Sequence, residues 1–444
     1  MNAIPPSQEP RKPPLRRMLD FFGLKRSIVG LLGMVILVGM GPNFAEQFLP
    51  KYLLALTANI NDAVLFIGIL YALINLLGAF YSYPGGYLSD RIGTKHALLV
   101  FNIMTMVGYS LVILIPASWA LILGAFFFVS WNAISLPATM GLVSKVLPKN
   151  KRTMGVTMHS LVRRIPMALG PLAGGALIVT MAVTRGHGAE PTAADVIDGV
   201  RLLFVGALIV TVIGIIFQQR MIAPDLPKPG DSSTPSAEKN PLRLFRRMSP
   251  DLKNLLVSDI LIRFCEQIPY GFVVVWATGW LVNDAYVHRI VNELQFGSLR
   301  VVEMAAAIAV YVPVAYLADR TMKKPWVLIT FGFFTLFPLV LFFSTSFGLL
   351  ILAFILRGLK EFGEPTRKAL IMDLAPEDAK AGMFGLYYLM RDSIVSLAAF
   401  GGALLWMIDP EATLLTAFGF GLLGTIWFAV RGRDLTSGVA HARP

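Results

Sequence analysis

Long apolar runs alternate with short polar turns along the chain, from Ser27 to Val430. A helix needs about 20 mostly apolar residues to cross a bilayer. On that scale the pattern predicts spans near 27–49, 62–88, 97–115, 118–146, 154–184 and 197–219, then 252–281, 290–318, 326–345, 347–374, 382–408 and 411–430. These twelve spans form two groups of six, separated by a polar stretch. The stretch holds Pro224, Pro227, Pro229, Gly230 and Pro235, followed by Arg243, Arg246 and Arg247. It carries too little apolar surface to fold and reads as a flexible linker. The expected organisation is a tail (1–21), a six-helix bundle (22–219), a linker (220–251), a second bundle (252–431) and a tail (432–444). The fold class is an all-α membrane protein. The first apolar run is too long for a secretory signal and lacks a cleavage-like end, so it is expected to be a retained helix.

Composition sharpens this picture. Hydrophobic residues make up 55% and charged residues 15%, against about 25% charged in soluble proteins. Disordered, collagen-like and disulfide-framework classes are excluded, since Cys265 is the one cysteine. A net charge of +12 would suggest nucleic acid in a soluble chain, but its distribution points elsewhere. Most of the 39 Lys and Arg fall in the tails, the linker and the loops of one side, whereas Lys51, Arg185, Arg201 and Arg289 are expected on the other. By the positive-inside rule the rich side is cytoplasmic, which places both termini and the linker inside. The expected location is a bacterial inner (plasma) membrane, with the lipid bilayer as a partner, no nucleic acid, and a monomeric chain.

The two groups of six repeat one another. Gly86-Tyr-Leu-Ser-Asp90-Arg91 matches Ala315-Tyr-Leu-Ala-Asp319-Arg320, and Pro137, Pro148, Gly155, Arg164, Gly174 and Gly175 match Pro365, Pro376, Gly382, Arg391, Gly401 and Gly402, at offsets of 227 to 229. Asn43-Phe-Ala-Glu46-Gln47 matches Arg263-Phe-Cys-Glu266-Gln267. Parallel six-helix halves of this kind characterise one large transporter class. The run Gly86-x-Leu88-x-Asp90-Arg91-x-Gly93-x-Lys95 resembles the signature loop between helices 2 and 3 of the major facilitator superfamily, with Thr94 where the family often has Arg. The resemblance covers nearly the whole chain. It implies the superfamily's fold of two pseudo-symmetric bundles and a gating role for Gly86, Asp90, Arg91, Gly93 and Lys95. The weaker second copy, with Asp319 and Arg320, would do likewise. Gly170-Pro171-Leu-Ala-Gly174-Gly175 resembles the tail of the motif of drug–proton antiporters in that superfamily, though Thr157 and Pro166 replace its upstream glycines. Physically it reads equally as a kinked seam of close helix packing.

Charges at membrane depth cost at least about 2.5–3.5 kcal/mol each on insertion scales, so they usually mark function. Those that fall on predicted spans divide by chemistry. Arg163, Arg164, Arg263, Arg357, Glu361 and Arg391, with the polar or aromatic Asn43, Gln47, Trp131, Asn132, His159, Gln267, Tyr270 and Tyr387, are candidate substrate contacts. Glu46, Glu266, Asp259, Glu364 and Asp392 are candidate proton carriers. His159 and Arg163, and likewise Tyr387 and Arg391, are four apart and share a helix face. Arg357, Glu361 and Glu364 form one stripe if span 10 is continuous, and Glu364-Pro365 can mark a bend there. Arg300 and Glu303 are three apart and read as an ion pair. The resemblance implies that spans 1, 4, 7 and 10 line the cavity, with spans 2, 5, 8 and 11 beside them.

No Walker-type loop, metal-ligand cluster or nucleophile–His–acid set is readable, so neither an enzyme, a metal nor another cofactor is expected. The expected function is secondary active transport of a small polar or charged organic solute by alternating access. Coupling to H+ in the export direction is expected, through a buried carboxyl. The alternatives are a symporter importing an organic anion, and a transporter-like sensor or lipid-handling protein. Three deep arginines lead to the further expectation that at least one, Arg391 above all, stays free for an anionic ligand.

Overall fold

The computed structural model describes residues 26–129, 152–221, 241–282, 285–318, 322–376 and 380–433. The first half contains α1 (Arg26–Ala45), a 3-10 turn (Glu46–Phe48), α2 (Leu49–Leu56), α3 (Ile60–Ile92), α4 (Thr94–Leu114), α5 (Ser118–Val129), α6 (Arg152–Thr184) and α7 (Ala193–Met221). The second half contains α8 (Pro241–Arg247), α9 (Pro250–Tyr270), α10 (Val273–Thr278) and a two-stranded antiparallel hairpin of β1 (Trp280–Val282) and β2 (Ala285–Val287). It continues with α11 (Glu293–Ala318), α12 (Lys323–Phe342), α13 (Phe347–Leu359), α14 (Glu364–Leu374), α15 (Lys380–Ile408) and α16 (Pro410–Arg431). Among the described residues, seven helices are long and apolar enough to cross a membrane, drawn from α3, α4, α6, α7, α12, α15 and α16.

Local chemistry sets many boundaries. Asn59, Ser249, Ser346 and Asp409 each cap a following helix by accepting a backbone N–H, which satisfies a donor left over in the first turn. Gly93 separates α3 from α4 at φ 85°, a conformation that costs a residue with a Cβ but not glycine. That backbone demand explains the motif's glycine without any reference to gating.

The structure departs from the sequence expectation in three places. Span 1 does not end at 49: the chain tightens into a 3-10 turn at Glu46 and resumes as α2, so Lys51, expected in a loop, is buried in a helix. Span 7 is not one helix to 281, because α9 stops at Tyr270, a short helix follows and the hairpin closes the segment. Within the expected linker, Pro241–Arg247 is helical and Leu244 and Met248 are buried against the second half; spaced apolar residues there find a partner surface.

The halves meet where α11 runs along α6 and α15 along α3. Small residues allow the approach. A Cβ on Gly175 would lie 2.1 Å from the Glu293 carbonyl oxygen, and one on Gly68 2.5 Å from the Ala403 side chain. Gly170 and Gly174 press instead on Asn43 and Phe44 of α1. The Gly170–Gly175 motif of α6 therefore grips span 1 with one face and the other half of the molecule with the next. One core cluster, including Phe48, Tyr71, Phe272, Trp276, Phe296 and Trp406, is shared by both halves.

Candidate functional site

Polar contacts across the interface gather toward the end opposite Arg26 and Arg431. Lys51 lies 3.2 Å from Glu293 and donates to the Gly279 carbonyl at 2.9 Å, with both side chains buried. Arg289 donates to the Ala189 carbonyl at 2.7 Å, and Asn75 donates to Gln267 at 2.9 Å. Phe48 meets Phe296, and Tyr71 meets Tyr270, edge to face. Deeper, Arg164 reaches Glu361 at 2.9 Å. These contacts seal one end of the molecule. Lys51 and Glu293 were missed in the sequence because each sits outside the expected spans or at their margin.

The second half holds a continuous ionic network. Asp259, fully buried, accepts from Arg367, from Tyr387 at 3.1 Å and from Arg391 at 3.4 Å. Arg367 also binds Glu364 at 2.6 Å, and Arg263 bridges Glu266 at 2.7 Å and Glu364 at 3.7 Å. Lys360 binds Glu266, and Arg391 binds Asp392 at 2.7 Å. Beside this network Arg300 and Arg357 share Glu303, as the pairing of Arg300 with Glu303 anticipated. Arg357 also lies over the rings of Tyr270, Phe337 and Phe354. Tyr387 and Arg391 do share a face, and both aim at Asp259.

Two expectations fail here. Arg391 is not left free, because Asp259 comes from a neighbouring helix that spacing within one helix cannot reveal. Arg357, Glu361 and Glu364 do not form a stripe, because the chain breaks between α13 and α14. The charges flanking the break have the favourable sign: Lys360 follows the negative end of α13 and Glu364 lies in the first turn of α14, at its positive end. Arg367 went unnoticed; its signal was the three-residue spacing from Glu364.

The first half is different. A cavity of about 310 Å³ is lined by Asn43 and Glu46 of span 1, Ile74 of α3, Tyr109 of α4, Phe128 of α5, Arg163 and Met167 of α6, and Phe204 of α7. The carboxyl of Glu46 and the guanidinium of Arg163 have no hydrogen bond or ion pair among the described residues. The Tyr109 hydroxyl is buried and lacks a hydrogen-bond partner. Gln47 is buried nearby in the 3-10 turn. Trp131, Asn132, Asp319 and Arg320 lie outside the described residues, as do the side chains of His159, Asp90 and Arg91 and the surroundings of Gly86. Lys95 donates to the Gln219 carbonyl at 2.8 Å, at the end of α7, a contact within its own half.

Two packed helical halves, the first enclosing a cavity with two charged groups, find their counterpart in known proteins. The profile of the Major Facilitator Superfamily matches residues 31–292, more than half of the chain. The chain belongs to this superfamily. As a superfamily member it is a multi-pass integral membrane transporter and not an enzyme. Solved structures of similar fold include a POT family transporter in complex with 5-aminolevulinic acid, with a TM-score of 0.67, 13% identity and coverage of 90% of this chain and 95% of that one. The nucleoside transporter NupG has a TM-score of 0.67 at 11% identity, covering 92% and 100%. The peptide transporter POT in complex with sulfate has a TM-score of 0.68 at 15% identity, covering 93% and 94%. In sequence, the chain is 22% identical over 153 residues to a multi-drug resistance efflux pump PmrA homolog of Lactococcus lactis subsp. lactis. That match spans 34% of this chain and 38% of the relative.

Proposed function

We propose that the protein exports a small charged organic solute in exchange for H+, by alternating access, with both termini in the cytoplasm of a bacterial cell and as a monomer. The observation that carries this reading is Glu46, a carboxylate that faces the cavity without a partner. The other candidate carriers, Glu266, Asp259, Glu364 and Asp392, each lie against at least one cation and hold the second half together. A carboxylate with no hydrogen bond or ion pair among the described residues can take either a proton or a cationic group of the solute, one excluding the other. Such competition at a single group produces exchange. The positive-inside distribution of Lys and Arg supports an outward position for the end joined by Lys51 and Glu293. The relative named as an efflux pump and the motif in helix 5 support the export direction.

The test uses proteoliposomes with a trapped pH dye and a panel of small charged metabolites. At least one compound should evoke proton movement in the wild type and none should in Glu46→Gln. Full proton movement in Glu46→Gln would overturn the assignment.

A further inference from the structure

The cavity presents charges of both signs to one small volume. Glu46 and Arg163 both line it, and neither makes a hydrogen bond or ion pair among the described residues. Buried charges ordinarily have partners, because an unpaired one loses its hydration without compensation. Among the described residues of the second half the deep charges follow that rule, so the omission in the first half is local. The remaining wall is apolar and aromatic, from Phe128, Met167 and Phe204, with the Tyr109 hydroxyl as an unanswered hydrogen-bonding group.

We propose that the solute is amphoteric. It carries a cationic nitrogen that Glu46 receives, and an acidic group that Arg163 receives with the fork geometry suited to carboxylate or phosphate. The two groups flank an apolar body of about ring size. This deepens the reading above and rests on the cavity as the solute site. Only the first half contacts the solute, which departs from a site shared symmetrically between Arg164 and Arg391; those two are committed to Glu361, Asp259 and Asp392. A further consequence follows for energetics. An amphoteric solute has no net charge, so its exchange for one proton moves one positive charge inward, and an inside-negative potential alone can drive export.

The experiment is an equilibrium titration of the full-length protein, without any gradient, against phenylalanine, its methyl ester (cation only) and N-acetylphenylalanine (anion only). Phenylalanine should bind, and each singly charged analogue should bind at least about tenfold more weakly, the loss expected when a desolvated charge is left unpaired. Arg163→Gln should lower phenylalanine to the level of the ester while leaving the ester unchanged. Glu46→Gln should do the converse with the N-acetyl compound. The wild-type series needs no variant to fold. Equal binding of one singly charged analogue, or no binding by any of the three, overturns the proposal. Proton coupling is not read in this experiment, so its failure and a failure of exchange are separable.

Discussion

Asp259 shows what a single residue does here. It lies on α9 with no exposure and faces two guanidiniums and a phenol. Removing one member of a buried charge set strands the others, at a cost of about 3–5 kcal/mol. Asp259→Ala should therefore lower the melting temperature of the detergent-solubilised protein markedly, whereas Asp392→Ala, whose side chain is partly exposed, should do so far less. Equal melting temperatures for the two variants would remove Asp259 from its central place. The sequence made the residue types legible: most charges that the spans placed at depth lie on helices, whereas Glu46, Lys360 and Glu361 fall at breaks. It did not reveal the partners. Arg391 finds Asp259 across 132 positions, and no periodicity along one helix encodes a contact of that range.

Among the elements, the spans that fall short of a plain membrane helix are informative. Span 1 breaks at Glu46–Phe48, span 7 at residues 271–272 and span 10 at residues 360–363. Uninterrupted spans such as α7 and α15 were legible because nothing but apolar periodicity defines them. The breaks were only hinted at, by Glu364-Pro365, because backbone conformation at a joint depends on what tertiary contacts reward it. The glycines of α6 give an element-scale prediction. Gly175 meets a backbone carbonyl, which cannot retreat as a flexible side chain would. Gly175→Leu should hold α6 away from α11 and shift the population toward separation of the sealed end. Spin labels at Ala58→Cys and Thr345→Cys, one in each half, should report a longer distance in the variant. Cys265 is buried and donates to the Phe334 carbonyl, so it stays silent in that labelling. An unchanged distance would show that the seam tolerates bulk.

For the whole molecule, the repeat predicted two equivalent halves, and the described residues of the two differ in their chemistry. One half is tied by ion pairs and the other surrounds an uncompensated cavity. Across their boundary Lys51 and Glu293 are the most buried opposite charges, so Lys51→Glu should part the sealed end and Lys51→Glu with Glu293→Lys should close it again in part, read by the same label pair. Failure of the double variant to recover would separate the fold's need for Lys51 from the pairing itself. The broken spans carry one more consequence. A straight helix longer or shorter than the surrounding hydrocarbon adjusts by leaning over, but a helix with a joint at mid-depth can change its reach by flexing there while its two ends stay upright. Spans 1, 7 and 10 can thus follow a thinning or thickening bilayer at the joint beside Glu46 and Glu361, which ties the shape of the solute cavity to the acyl-chain length of the lipids around it.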